Sequence, residues 1–147
     1  MLRRFTFVLL FVACCLLFGC QNYSSGLVQS AARADEAVVF SNLRSIMKAQ
    51  QAYNISTGSY GTFTQLTDGA YLDSRFKGEQ PVLNEYQFTI TVKDKGPDNP
   101  LGSYSVNADP ARSGDRAGRH FYTDSNSSEI HVNNTQAATA SDEVISP

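Results

Sequence analysis

The chain opens with a short apolar run, continues with residues spaced like one face of a helix, and ends with segments in which apolar and polar residues alternate. From about Leu27 to Thr57, apolar positions recur at steps of three and four, which predicts one helix with a single buried side. Gly58 is a natural stop for that helix. We expect Arg44 and Lys48 to point away from the core, and the buried side to pack against a sheet. The predicted buried side consists of Val39, Leu43, Ile46, Met47, Gln50 and Tyr53.

The middle of the chain predicts a folded loop followed by two strands. Ser59–Asn84 contains glycines, scattered aromatic residues and a proline, which indicates a loop with one short helical turn at about Phe63–Asp68. Tyr86–Val92 and Tyr104–Ala108 then alternate strictly between apolar and polar residues, as half-buried strands do. The dipeptide Asp109-Pro110 is expected to end the second of these strands.

The last predicted element is a hairpin. His120–Asp124 and Glu129–Val132 read as strands on either side of a connector rich in serine and asparagine. A register in which Phe121 lies opposite Val132 buries both of those side chains. We expect the small, polar tail from Asn133 onward to drape over the surface. The outer face of the hairpin then contains His120, Tyr122 and His131.

Composition limits the fold to one domain. The chain has 147 residues, of which 41% are hydrophobic and 18% charged, and this is typical of one compact domain rather than a disordered chain. The patterns therefore predict an α+β fold, with a long N-terminal α-helix packed on a small antiparallel β-meander. The formal net charge is −2, and it would be about −4 without Arg3 and Arg4, which argues against nucleic acid as a partner.

The N-terminal residues have the build of a secretory signal. Arg3 and Arg4 precede the apolar run Phe5–Phe18, which is shorter than the roughly 20 residues needed to span a bilayer. We expect residues 1–19 to be removed as a signal peptide. Cleavage before Cys20 would leave no second cysteine for an internal disulfide. The three cysteines of the chain are Cys14, Cys15 and Cys20.

The end of this run, Leu17-Phe18-Gly19-Cys20, resembles the lipobox of bacterial lipoproteins. The resemblance implies that Cys20 is acylated, and each methylene of its fatty chains would contribute about 0.8 kcal/mol to membrane attachment. Phe18 is bulkier than the usual occupant. Gln21 stands where an aspartate would signal retention in the inner membrane, so the resemblance favours the outer membrane, facing the periplasm or the cell surface. An uncleaved signal anchor and cleavage elsewhere stay open as alternatives.

The predicted helix residues Ala37–Tyr53 contain the pattern Leu-Arg-x-Ile-x-x-Ala-Gln-x-x-Tyr. This pattern is common in the globular half of the pilin helix, and the segment resembles type IV pilins and pseudopilins, in particular the bacterial pilin-like G/H group. Gly58–Phe63 with Gly69–Asp73 resembles the αβ loop of that family, and Tyr86–Thr89 resembles its first strand. The resemblance implies a pilin-like globular domain over residues 34–147, behind a tether and helix start at residues 20–33. The closing strands of the family are similar to Ala108–Pro110, His120–Asp124 and Ile130–Val132.

The chain departs from pilins at its front, and this concerns function. Pilins have a glutamate five residues into the mature chain and an apolar half-helix that forms the fibre core. This sequence lacks that glutamate and, if cleaved at Cys20, the apolar half-helix as well. We therefore expect a non-enzymatic, lipid-anchored envelope protein with a structural or interaction role, accessory to a type IV pilus or type II secretion system. A minor pilin or pseudopilin that retains Phe5–Gly19 as a membrane helix is the first alternative.

The second alternative is a periplasmic ligand- or metal-binding module. His120 and His131, with Tyr122 close by, could offer metal ligands, and the turn Asp124–Glu129 could offer oxygens to calcium. These residues are better explained without a metal, because histidines are common on exposed hairpins and polar residues are common in turns. The same explanation holds for the polar loop at Asp94–Asn99. We predict no catalytic, cofactor-binding or metal-binding residue and no cofactor, with Cys20 as the one site residue.

Overall fold

The structure is a computed structural model that describes residues 21–112 and 118–145, with side chains from residue 35 onward. The described residues from Asp35 onward form one compact unit. Helix α1 spans Gln21–Thr57, and it ends where the sequence predicts. It begins earlier than expected, because Gln21–Gly26, predicted as a flexible tether, is helical. This stretch contains no proline, and a single glycine costs a helix only about 1 kcal/mol.

The strands form one six-stranded antiparallel sheet in which every strand pairs with its neighbours in sequence, so that the sheet is a simple meander. The α+β class and the antiparallel meander are thereby confirmed. The two central strands, β2 and β3, pair along their full length from Tyr86↔Pro110 to Lys93↔Ser103. The strands are β1 (Val82–Leu83), β2 (Tyr86–Lys93), β3 (Ser103–Pro110), β4 (His120–Asp124), β5 (His131–Asn133) and β6 (Glu143–Val144).

The segment between α1 and the sheet contains two short helical pieces. Helix α2 (Phe63–Asp68) lies where a helical turn was predicted, and a 3₁₀ turn follows at Ser74–Phe76. A capping box starts α2: the Thr62 hydroxyl accepts a hydrogen bond from the Gln65 amide, and the Gln65 side chain accepts one from the Thr62 amide. This segment is therefore a folded connection, and its aromatic residues reach the core.

The core lies between residues 35–57 of α1 and one face of the sheet. Tyr86, Phe88 and alternate residues of β3 point into it, so the predicted alternation is confirmed. Phe40 of α1 meets Phe121 of β4 edge to face, with ring centroids 5.2 Å apart. The predicted helix side is confirmed by the burial of its residues, which is complete for Val39, Leu43, Ile46 and Gln50 and partial for Met47 and Tyr53.

The hairpin has the predicted register but a shorter second strand. Phe121 pairs with Val132 as expected, whereas β5 begins at His131 and not at Glu129. The reason is local, because Ser128 has a left-handed φ of 57°, which interrupts the extended backbone just before β5.

The tail was predicted to drape over the surface, but part of it forms a strand that the sequence did not predict. Glu143 and Val144 form β6 and pair with β5. Ala138 is buried, and its carbonyl accepts a hydrogen bond from the Asn107 side chain on the outer face of the sheet. The tail therefore completes the sheet and covers part of its outer face.

Candidate functional site

The one predicted site residue, Cys20, lies outside the described residues, as do Cys14 and Cys15. The structure thus leaves lipidation as a prediction. Within residues 21–112 and 118–145, no helix combines the length and apolarity needed to cross a membrane.

The two histidines of the outer face have separate partners. His120 Nδ1 lies 2.6 Å from the carboxylate of Asp109, which is on the neighbouring strand β3. His131 was expected to be exposed, but it is buried and only 6% accessible. Its Nδ1 lies 2.9 Å from the backbone carbonyl of Asp142, because the tail packs over it, and its ring meets Tyr122 edge to face. No group of three or more His, Cys, Asp or Glu side chains is placed to hold a metal ion in the described part of the chain.

The oxygen-rich turn after β4 is organised by its own backbone. Asp124 is buried, and one of its oxygens accepts hydrogen bonds from the amides of Asn126 and Ser127 at 2.8 and 3.2 Å. The other accepts the Tyr122 hydroxyl at 3.0 Å. Burial, followed by this hydrogen bond, raises the pKa of Tyr122. One oxygen of Asp124 therefore stabilises an Asx turn, and the other binds the Tyr122 hydroxyl.

The polar loop between β2 and β3 shows the same turn chemistry. Gly96 and Asn99 exchange backbone hydrogen bonds of 3.0 and 3.1 Å, while Asp94 and Asp98 are exposed. Gly102 has a φ of 70°, which glycine adopts without strain, and this conformation returns the chain to β3. The loop is a tight connection between strands.

An ion pair that the sequence pattern does not indicate joins α1 to the start of β4. The Arg119 guanidinium donates two hydrogen bonds to the Glu36 carboxylate, at 2.9 and 2.7 Å. These hydrogen bonds raise the pKa of Arg119. Burial, followed by the Glu36 charge, raises the pKa of the neighbouring Tyr86 to about 12. The two charges are 83 residues apart in sequence, so no local spacing could have found the pair.

A groove lies beside the exposed side of α1. It has a volume of about 560 Å³ and opens between α1, the start of β3 and the turn after β4. This volume is within the range of ligand sites, roughly 300 to 1,000 Å³. We call it the α1 groove. Its lining residues are Arg44, Met47, Lys48, Gln51, Asn54, Ile55, Tyr60, Tyr104, Ser125 and Ser128.

Two tyrosines form the wall of the α1 groove. The rings of Tyr60 and Tyr104 are tilted against each other with centroids 4.8 Å apart. Burial, followed by the proximity of Tyr60 and Asp124, raises the pKa of Tyr104 to about 12. Sequence reasoning placed Arg44 and Lys48 on an exposed helix face, but it missed the groove because its opposite wall comes from residues far along the chain.

A comparison of the chain with protein families, curated proteins and solved structures finds no match. The geometry of the described residues and the sequence patterns are therefore the basis for any functional proposal.

Proposed function

We propose that this chain is a lipid-anchored, pilin-like protein of the cell envelope that acts through interactions and not through catalysis, as an accessory to a type IV pilus or type II secretion system. The observation that supports this proposal most is the placement of α1, with one buried side, over an antiparallel meander. This is the arrangement that the pilin resemblance implies, and it accompanies a lipobox-like Leu17-Phe18-Gly19-Cys20.

The geometry of the candidate polar residues favours an interaction role over a metal-binding one. His131 Nδ1 is engaged with the tail, and the two oxygens of Asp124 are engaged with its turn and with Tyr122. In contrast, Arg44 and Lys48 are exposed beside a groove that is open to solvent. A surface of this kind suits contact with another molecule.

The anchor is tested by metabolic labelling with a radioactive fatty acid. We expect label in the wild-type chain and none in Cys20→Ala, which should also leave the membrane fraction. Cys14→Ala and Cys15→Ala are matched controls, because each removes one thiol from the same leader and should keep both the label and the membrane association. Label that persists in Cys20→Ala would overturn the proposed anchor.

The accessory role is tested in cells with the same variants. If the domain works at the membrane beside a pilus or secretion system, Cys20→Ala should reduce piliation or secretion to the level of a deletion, although the domain still folds. Incorporation of the wild-type chain along purified fibres would contradict the proposal and favour the minor-pilin alternative.

A further inference from the structure

The α1 groove exposes apolar side chains that nothing in the described chain covers. Ile55 is 79% exposed at its edge, and Met47 and Tyr60 are only half-buried inside it. An exposed aliphatic side chain is ordinary when it stands alone, but here it borders a concave surface with an aromatic wall. The groove therefore offers an apolar contact of the size of one or two side chains.

The charge of the α1 groove is the opposite of the charge of the whole chain. Arg44 and Lys48 line it, and no lining residue has a carboxylate. Residues 37–57 of α1 contain no acidic residue, whereas the full chain has a net charge of −2. Asp124 and Glu129 adjoin the lining residues Ser125 and Ser128 in sequence, but Asp124 is engaged with its turn and Glu129 is exposed outside the lining. The two cations of the groove therefore favour an anionic partner, in a chain whose net charge is negative.

The walls of the α1 groove are already ordered. Tyr104 and Ser125 are tied together, since the Ser125 amide donates to the Tyr104 carbonyl at 3.0 Å and the Tyr104 amide donates to the Ser125 hydroxyl at 3.3 Å. Tyr60 packs on Tyr104 from the other side. A ligand would not have to order these residues, which removes one of the costs of binding.

We propose that the α1 groove binds a short peptide segment of a partner protein in which carboxylates flank an aliphatic side chain. The carboxylates would meet Arg44 and Lys48, and the aliphatic side chain would pack between Ile55 and the tyrosine wall. An acidic sugar would satisfy the cations but would leave Ile55 and Met47 without an apolar contact, so the peptide is the better fit. This inference rests on the interaction role proposed above and specifies the partner's chemistry.

The test is a titration of the full-length chain in non-ionic detergent with a blocked, fluorescently labelled peptide that has one leucine between glutamate pairs. We expect saturable binding that the double variant Arg44→Gln, Lys48→Gln weakens about tenfold, because it removes two exposed ion pairs that each strengthen binding a few-fold. The matched control is Lys77→Gln with Lys93→Gln, which removes two exposed cations outside the groove and should leave the affinity unchanged. Ile55→Ser should weaken binding without affecting the fold.

Three results would overturn the peptide proposal. The first is that a peptide with lysines in place of the glutamates binds as tightly as the acidic peptide. The second is that the control double variant loses as much affinity as the Arg44, Lys48 double variant. The third is that trigalacturonate, an acidic sugar, binds while the peptide does not. Each of these results can be obtained with a chain that is still acylated at Cys20. Failure of the peptide proposal is therefore distinguishable from failure of the proposed lipid anchor.

Discussion

Replacing Gln50 with leucine should break the link that holds the α1–α2 connection on the helix. Gln50 is fully buried, and its amide donates to the Gly61 carbonyl at 2.7 Å and accepts from the Gly61 amide at 2.9 Å. Leucine has a similar volume, so the substitution removes two hydrogen bonds and leaves a buried backbone N–H and C=O without partners. Each unsatisfied group costs about 1–3 kcal/mol, so the two together should lower the free energy of unfolding by about 2–6 kcal/mol.

The assay is urea denaturation of the full-length chain, followed by far-ultraviolet circular dichroism. With a slope of about 2 kcal/mol per molar urea, the midpoint should fall by about 1–3 M. Gln51→Leu is the matched control, because Gln51 is the exposed neighbour on the same helix and its midpoint should change by less than about 0.5 M. Equal midpoints for the two variants would refute the argument that the Gly61 hydrogen bonds hold the connection.

Three further predictions follow from specific contacts. Gly118→Ala should destabilise the fold by about 1–3 kcal/mol, because its new Cβ would collide with the Tyr86 hydroxyl. The control is Gly96→Ala, whose new Cβ would contact no other atom, and thermal unfolding measures both variants. The free energy of unfolding should fall as pH rises from about 10 to 12, because the pKa of Tyr86 and of Tyr104 is raised to about 12 in the folded state, whereas unfolded tyrosines ionise near 10. Urea midpoints measured at pH 9 and 11.5 should show this fall, and the fall should be smaller in Tyr104→Phe. Asp142→Asn should loosen β6, seen as faster amide exchange there, because hydrogen bonds from the tail lower the pKa of Asp142 and therefore favour its charged form.

Each of these predictions has an outcome that would contradict it. Equal melting temperatures for the two glycine variants would show that the backbone near Tyr86 yields without cost. A fall in stability that is as large in Tyr104→Phe as in the wild type would show that ionisation of Tyr104 does not contribute to it. Unchanged exchange in β6 after the Asp142 substitution would show that strand pairing alone holds the tail.

The parts of the fold that sequence predicted are those in which periodicity and burial agree locally. The end of α1 and the alternation of β2 and β3 each depend on a regular repeat of apolar residues, which a single core enforces. The register of the hairpin follows from the same alternation, since Phe121 and Val132 must share the buried face.

The parts that sequence missed depend on contacts between distant segments. The tail has few apolar residues, yet Ala138 and the β6 pairing fix it over the sheet and bury His131. The Glu36–Arg119 pair and the opposite wall of the α1 groove likewise come from residues far apart along the chain. Such contacts follow from topology, which local spacing does not encode.

The anchoring of this domain at Cys20 is tested most directly by the mass of the mature N-terminal peptide isolated from membranes. We predict a peptide that begins at Cys20 and has the added mass of fatty acyl groups, which would separate the chain from a fibre core built of apolar half-helices. A peptide that retains residues before Cys20 would contradict the lipid anchor, and assembly into a pilin-type structure would become the function to test.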